Sequence, residues 1–172
     1  NRLCGELGVK VLTIAGNHDS AERLASCAGL LDKAGLYLQG AAQREPRVVD
    51  FADSQVFFLP WMTEEKIKSL YPEERDSING LTDAYRVAVN HMREKIIPGK
   101  RHLLLSHAFI TNAETSTSDR AAEIGFATQV PASVFEGFDY VALGHIHKPQ
   151  QVNSYIRYSG SPMAYSLSLI HI

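Results

Sequence analysis

The stretch "YVALGHIHKPQ", residues 140–150, carries an apolar run directly into a pair of histidines. Its first four residues are apolar or aromatic, which predicts a buried strand that ends at Gly144. His145 and His147 follow with one residue between them. If this segment is extended, the two imidazoles point to the same side, because alternate residues of an extended chain share a face. The pair therefore predicts a metal site at the end of a strand, with an ordinary surface turn as the alternative.

Two further motifs repeat this arrangement elsewhere in the chain. The apolar run 9–15 leads into "GNHDS", residues 16–20, and the run "HLLLSHAFI", residues 102–110, carries His107. Ligands of open α/β sheets bind at the carboxyl ends of the strands, so we expect Asn17, His18 and His107 to meet the histidine pair. Each motif alone also has a structural explanation, as a turn before a helix or as a hydrogen-bonded strand-end histidine.

The chemistry of these side chains suits a borderline divalent ion. Asparagine oxygen and imidazole nitrogen are ligands for Mn²⁺, Fe²⁺ or Zn²⁺. His18 could donate a proton, with Asp19 holding its ring in one tautomer. His91 and His102 lie outside the three motifs, and we assign both to structure or solvent.

The order of predicted elements indicates an α/β layered domain. Helices are expected over about 21–34, capped by Ser20 and ended by Gly35, and over about 81–97, ended by Pro98-Gly99. The predicted strands are 9–15, 48–51, 55–59, 102–110, 139–143 and the first part of 155–166. A short turn or helix is expected at 130–135, and residues 111–123 form a polar loop.

Composition sets the broad class of the protein. A chain of 172 residues with 45% hydrophobic content is long enough for one domain with a real core. The net charge of −2 does not indicate a nucleic-acid partner, although a local basic patch would be enough to bind one. Cys4 and Cys27 lack metal-binding spacing. The sequence contains no signal peptide or membrane-spanning stretch, which predicts a cytoplasmic protein.

The three motifs "GNHD", "SHAF" and "GHIH" in this order resemble those of the calcineurin-like metallophosphoesterases. The longer stretches "TIAGNHDSAERL", "VPASVFEGFDYVALGHIHKPQ" and "RYSGSPMAYS" are more similar to the SbcD branch of that family, the nuclease subunits of bacterial SbcCD DNA-repair enzymes. The resemblance covers nearly all of residues 9–166. It implies a layered α/β-β-α sandwich, exonuclease and endonuclease activity on DNA, and a preference for Mn²⁺, with Mg²⁺, Fe²⁺ or Zn²⁺ as other candidates. It also implies an SbcC-type ATPase partner and a homodimer of the nuclease subunit.

The resemblance further implies a role for each motif residue. Asn17, His107 and His145 would bind one metal of a two-metal centre, and His147 would bind the other. His18 would be the catalytic histidine near the scissile phosphate, oriented by Asp19. The two ions would clamp the phosphodiester during an in-line displacement.

The chain departs from the family pattern at both ends. The family's Asp-x-His and Gly-Asp-x-x-Asp motifs are not present, and its C-terminal cap is not expected here. Residues 1–166 are therefore interpreted as a partial nuclease domain, and "LSLIHI", residues 167–172, as a non-native scar that removes His171 from the site. All four remaining ligands are neutral, so two buried divalent ions would repel each other strongly. We expect at most one weakly bound ion and little nuclease activity.

Two other functions remain open at this point. One is a metallophosphoesterase that acts on a small phosphate ester or a cyclic nucleotide. The other is a non-catalytic domain that uses the fold for subunit assembly.

Overall fold

A computed structural model describes residues 2–26, 28–115 and 129–162. Within these residues the strands are β1 (Val11–Ile14), β2 (Leu36–Gln39), β3 (Val48–Asp50), β4 (Ser54–Leu59), β5 (Arg101–His107), β6 (Phe109–Ile110), β7 (Gln129–Val130), β8 (Tyr140–Gly144), β9 (Gln150–Gln151) and β10 (Ile156–Tyr158). The α-helices are α1 (Ala21–Ala25), α2 (Ala28–Asp32), α3 (Glu64–Leu70) and α4 (Leu81–Arg93). Shorter helical turns lie at Arg2–Glu6, Pro72–Ser77 and Ala132–Phe135.

Six strands form a mixed sheet in the order β3-β4-β5-β8-β10-β9. The four inner strands run parallel to one another, and β3 and β9 are antiparallel to their neighbours at the two edges. β1 and β2 form a separate parallel pair, as do β6 and β7. The mixed sheet with its helices confirms the predicted α/β class.

The two faces of the six-stranded sheet bury different side chains, because successive residues of a strand point to opposite faces. On one face, Phe57 and Leu104 pack with Tyr85 and Val89 of α4 in the main core. On the other face, Phe58 belongs to a second apolar cluster that includes side chains of β1, β2 and β5: Leu12, Ile14, Tyr37, Leu103 and Leu105. Helices α1 and α2 contact β2. These layers are consistent with a partial metallophosphoesterase-like fold.

The sequence predicted one helix over 21–34, but the structure has two five-residue helices in this region. Ser20 takes the N-cap position, but its side chain makes no capping hydrogen bond. Gly35 follows the second helix with a φ of +82°, as expected for a residue that ends a helix. The predicted helix over 81–97 is present but ends at Arg93.

The sequence pattern did not predict β2, α3, β7 or β9. Helix α3 buries Ile67 as its one fully enclosed side chain, so its apolar face is too narrow to give a periodic signal. Local polar contacts hold it instead: Thr63 Oγ1 accepts a hydrogen bond from Lys66 N–H, and Lys68 pairs with Glu64 at 2.5 Å. The predicted strand 102–110 is divided between β5 and β6.

Several predictions fall outside the described residues. These are the interpretation of 167–172 as a scar, the environment of Cys27, and most of the polar loop 111–123. In the described part of the chain, no helix combines the length and apolar character that a membrane crossing requires.

Candidate metal centre

The candidate site lies where three strands end. β5 ends at His107 and β8 ends at Gly144, and these two residues are paired in the sheet register. His145 follows directly. The segment after β1 reaches the same place, because Trp61 N–H, just after β4, donates to Ala15 O at 3.0 Å. The strand-end rule accounts for the approach of His107 and His145, while a tertiary contact brings the Asn17 segment beside them.

Three donor atoms from these segments converge. His107 Nε2 lies 2.9 Å from Asn17 Oδ1 and 3.3 Å from His145 Nδ1. Bonds of 2.0–2.2 Å from a transition metal to nitrogen or oxygen place neighbouring donor atoms about 3 Å apart. The two distances from His107 Nε2 are in the range expected for atoms that bind the same ion.

Two glycines make the position of His107 possible. A Cβ atom on Gly16 would lie 2.6 Å from Cε1 of the His107 ring, and one on Gly144 would lie 2.9 Å from its Nδ1. Any side chain at either position would push the ring away. The glycines of the "GNHD" and "GHIH" motifs thus allow the backbone to approach the ring closely.

The segment 145–147 is not extended, so the geometric premise for a same-side histidine pair is wrong. His145 has a φ of +103°, a conformation that side-chain-bearing residues rarely adopt. Ile146, the next residue, lies in the main core and is 3% exposed. The backbone carbonyl of His147 accepts a hydrogen bond from Ser161 N–H at 2.9 Å. Its assignment to a second ion stays a prediction.

His18 and Asp19 lie beside the three donors on an exposed loop. Asn17 Nδ2 lies 3.3 Å from His18 Nε2. Asp19 Oδ2 accepts a hydrogen bond from Gly16 N–H at 2.7 Å, and Asp19 N–H donates back to Gly16 O at 3.3 Å. Asp19 therefore closes the turn that presents Asn17, and its predicted role in orienting His18 is untested.

Electrostatics keep the central imidazole neutral. Burial, together with smaller effects of His145 and His18 and against an opposing effect of Asp19, lowers the pKa of His107 from 6.5 to about 4. A neutral imidazole has a lone pair available for a metal or a hydrogen bond.

Sequence reasoning missed the aromatic side chains around the histidines. The Trp61 ring is stacked on His145 at 5.6 Å between centroids and meets His107 edge-on at 5.9 Å. Phe109 lies 5.9 Å from His145 on the ring-centroid measure. Trp61 follows Leu59-Pro60 at the end of an apolar run, so the same strand-end rule could have found it.

The other histidines lie in different surroundings. His91 Nε2 is 2.6 Å from Glu74 Oε1, and its ring stacks on Tyr71 at 4.2 Å. His102 Nε2 is 3.0 Å from Ile97 O. Across residues 2–26, 28–115 and 129–162, no group of three or more His, Cys, Asp or Glu side chains is arranged to hold a metal ion. The candidate site has two histidines and one amide, none of which can carry a negative charge.

Comparison with known proteins shows similarity to one part of a nuclease subunit. No family model matches the chain. The chain is 31% identical over 167 residues to the SbcD component of the nuclease SbcCD from Staphylococcus epidermidis. The alignment covers 96% of this chain but 44% of that relative, so the chain spans less than half of the relative's length.

Proposed function

We propose that this chain belongs to an SbcD-like nuclease that hydrolyses phosphodiester bonds of DNA with divalent metal ions. The observation that carries the proposal is the convergence of Asn17 Oδ1, His107 Nε2 and His145 Nδ1 at the ends of three strands. The similarity to a component of an SbcCD nuclease points to the same chemistry. The working assembly we propose includes DNA, an SbcC-type ATPase subunit and a second copy of the nuclease subunit.

Asn17, His107 and His145 would hold one ion, and His147 would contribute to a second. Mn²⁺ is the ion we favour, because the resemblance to SbcD nucleases implies it; the oxygen and nitrogen donors would equally suit Fe²⁺ or Zn²⁺. When bound, such ions polarise a phosphoryl oxygen and lower the pKa of water. The three converging donors carry no negative charge, so we propose that residues 1–172 alone hold one ion weakly and have little activity.

His18 is proposed as the residue that faces the reacting phosphate. It is exposed at the rim of the site and adjacent in sequence to the ligand Asn17. From there it would donate a hydrogen bond or proton to the phosphate or to the leaving oxygen. Asp19 supports this role by closing the turn through Gly16.

A Mn²⁺ titration followed by calorimetry tests the metal site. Wild-type protein should bind a single ion, and His107→Gln should weaken binding by about tenfold or more, since a donor is lost. His102→Gln is the matched control, because His102 opens the same strand and bonds Ile97 O. Equal Mn²⁺ binding by wild type and His107→Gln would overturn the proposed ligand set, and tight binding of two ions would overturn the charge argument.

The substrate class is tested by Mn²⁺-dependent hydrolysis of end-labelled duplex DNA beside a chromogenic phosphate ester. We expect weak cleavage of DNA that is abolished in His18→Ala and retained in His91→Ala. Turnover of the small ester alone would favour the other phosphoesterases. Cleavage that His18→Ala leaves unchanged would remove this residue from the mechanism.

A further inference from the structure

Trp61 is the single tryptophan of the sequence, and it lies against the candidate metal centre. It is partly buried and follows β4. A metal centre built only from motif residues leaves this side chain without a role.

The indole ring matches the mutual orientation of the two histidines. The planes of His107 and His145 are 79° apart. The indole lies 12° from the plane of His145 and 89° from the plane of His107. A single rigid ring that is parallel to one imidazole and perpendicular to the other stabilises the angle between them. In this arrangement His145 Nδ1 lies 3.3 Å from His107 Nε2.

The backbone of Trp61 connects to the third donor. Trp61 N–H donates to Ala15 O at 3.0 Å, and Ala15 N–H donates to Gln39 O at 3.0 Å. Ala15 is 2% exposed and stands two residues before Asn17. Trp61 therefore contacts all three segments that supply donors, through its ring in two cases and its main chain in the third.

His145 needs such support because of its backbone. Its φ of +103° lies outside the regions that side-chain-bearing residues ordinarily occupy, and such conformations persist only where the surroundings hold them. Stacking on Trp61 and the nearby ring of buried Phe109 supply aromatic contacts on this side chain.

We infer that Trp61 is a positioning residue for the metal centre, holding His107 and His145 at the separation and angle that a divalent ion requires. This inference rests on the proposed function above. Residues that orient metal-ligating histidines commonly change metal affinity by about 10–100-fold when they are replaced. The ion class is the same as before, a borderline divalent cation such as Mn²⁺, and Co²⁺ serves below as a spectroscopic probe.

The first test compares Mn²⁺ affinity in Trp61→Ala, Trp61→Phe and wild type, by calorimetry and by electron paramagnetic resonance of the free ion. Trp61→Ala should weaken binding by about tenfold, and Trp61→Phe should stay within about threefold of wild type because a phenyl ring can stack on an imidazole. Phe51→Ala is the control, since Phe51 contacts Tyr37 in the apolar cluster on the other sheet face. It should lower thermal stability without changing Mn²⁺ affinity. If Trp61→Ala unfolds, the comparison of Trp61→Phe with Trp61→Leu decides, and only the leucine variant should lose affinity.

The second test uses the tryptophan as its own probe. Co²⁺ quenches a nearby indole, so Co²⁺ should quench wild-type fluorescence in a saturable curve with the calorimetric midpoint. His107→Gln should shift that midpoint to higher Co²⁺ by about tenfold. If wild type binds no ion, the proposed function and this inference both fail. If wild type binds with saturable quenching but Trp61→Ala or Trp61→Leu binds equally well, the positioning role alone is overturned.

Discussion

Gly16 lies so close to His107 that a Cβ atom on the glycine would stand 2.6 Å from Cε1 of the imidazole ring. No ordinary packing contact between carbon atoms is this short, because the optimum is about 3.5–4.0 Å. Gly144 approaches the same ring from its Nδ1 atom, at 2.9 Å. The ring of His107 is therefore held between two stretches of backbone.

Gly16→Ala should displace the ring of His107 and break its 2.9 Å contact with Asn17. We expect Mn²⁺ affinity to fall by about tenfold. Overpacking at this position should also lower the free energy of unfolding by about 1–3 kcal/mol. Calorimetric titration and urea unfolding measure the two effects.

Gly29→Ala is the matched control for that substitution. A Cβ atom on Gly29, within α2, would meet nothing within 4 Å. Alanine favours a helix over glycine by about 1 kcal/mol, so this variant should be at least as stable as wild type and bind Mn²⁺ equally. Loss of Mn²⁺ binding in both alanine variants would show that the effect at Gly16 is not specific to the ring contact.

Tyr158 bridges two backbone groups just after the candidate ligand His107. Its buried hydroxyl donates to Ala108 O at 2.6 Å and accepts from Ile110 N–H at 2.9 Å. Tyr158→Phe removes the hydroxyl and leaves both buried groups without this partner, which should cost about 1–3 kcal/mol of unfolding free energy. Urea unfolding at pH 7 checks this value, with Tyr37→Phe as a partly exposed control that should change stability by less than about 0.5 kcal/mol. A Tyr158→Phe loss no larger than that of the control would contradict the bridging role.

Ser106 presents the opposite situation. This residue is 0% exposed, and its hydroxyl has no hydrogen-bond partner within the described part of the chain. Burying an unpaired hydroxyl is unfavourable, so Ser106→Ala should leave stability unchanged or raise it by about 1 kcal/mol. Ser77→Ala, which removes an exposed hydroxyl bonded to Glu74 O, should stay near wild type. A Ser106→Ala variant that loses more than about 1 kcal/mol would reveal a partner for the hydroxyl.

The strand-end rule explains why much of the site could be predicted from sequence. Apolar runs that lead to His107 and His145 signal strands, and the parallel neighbours β5 and β8 deliver their carboxyl ends to one edge of the sheet. Asn17 follows β1, which lies outside that sheet, and the hydrogen bond between Trp61 N–H and Ala15 O brings its segment to the same place. The layered α/β class follows from the same alternation of apolar runs and amphipathic helix 81–93.

Features that depend on tertiary contacts could not be read in this way. β2 has only four residues and is defined by its parallel pairing with β1. The positive φ of His145 is a backbone feature that the spacing of the two histidines does not encode. The stacking of Trp61 on His145 joins residues that are far apart in the sequence. Single-sequence patterns report local periodicity and miss such pairs.

The depressed pKa of His107 predicts how metal-free protein responds to acid. Burial, with help from His145 and His18 and against Asp19, lowers this pKa from 6.5 to about 4, so folded protein keeps the imidazole neutral where the unfolded chain protonates it. The unfolded state then binds more protons, and stability falls as pH drops from about 6.5 towards 4 and is fully present above that window. The slope from this one group is at most about 1.4 kcal/mol per pH unit.

Urea unfolding in a chelator, at several values between about pH 4 and pH 7.5, measures this dependence. Glutamine at position 107 does not titrate, so the unfolding free energy of His107→Gln lacks this pH dependence. The unfolding free energy of wild type falls as the pH drops from about 6.5 towards 4. The difference in unfolding free energy between the two proteins should therefore become smaller in the acid range. His102→Gln, near the opposite end of β5, is the control for replacing a histidine of this strand by glutamine. Parallel curves for wild type and His107→Gln would mean that His107 titrates alike in the folded and unfolded states, against the burial that its position between Gly16 and Gly144 implies.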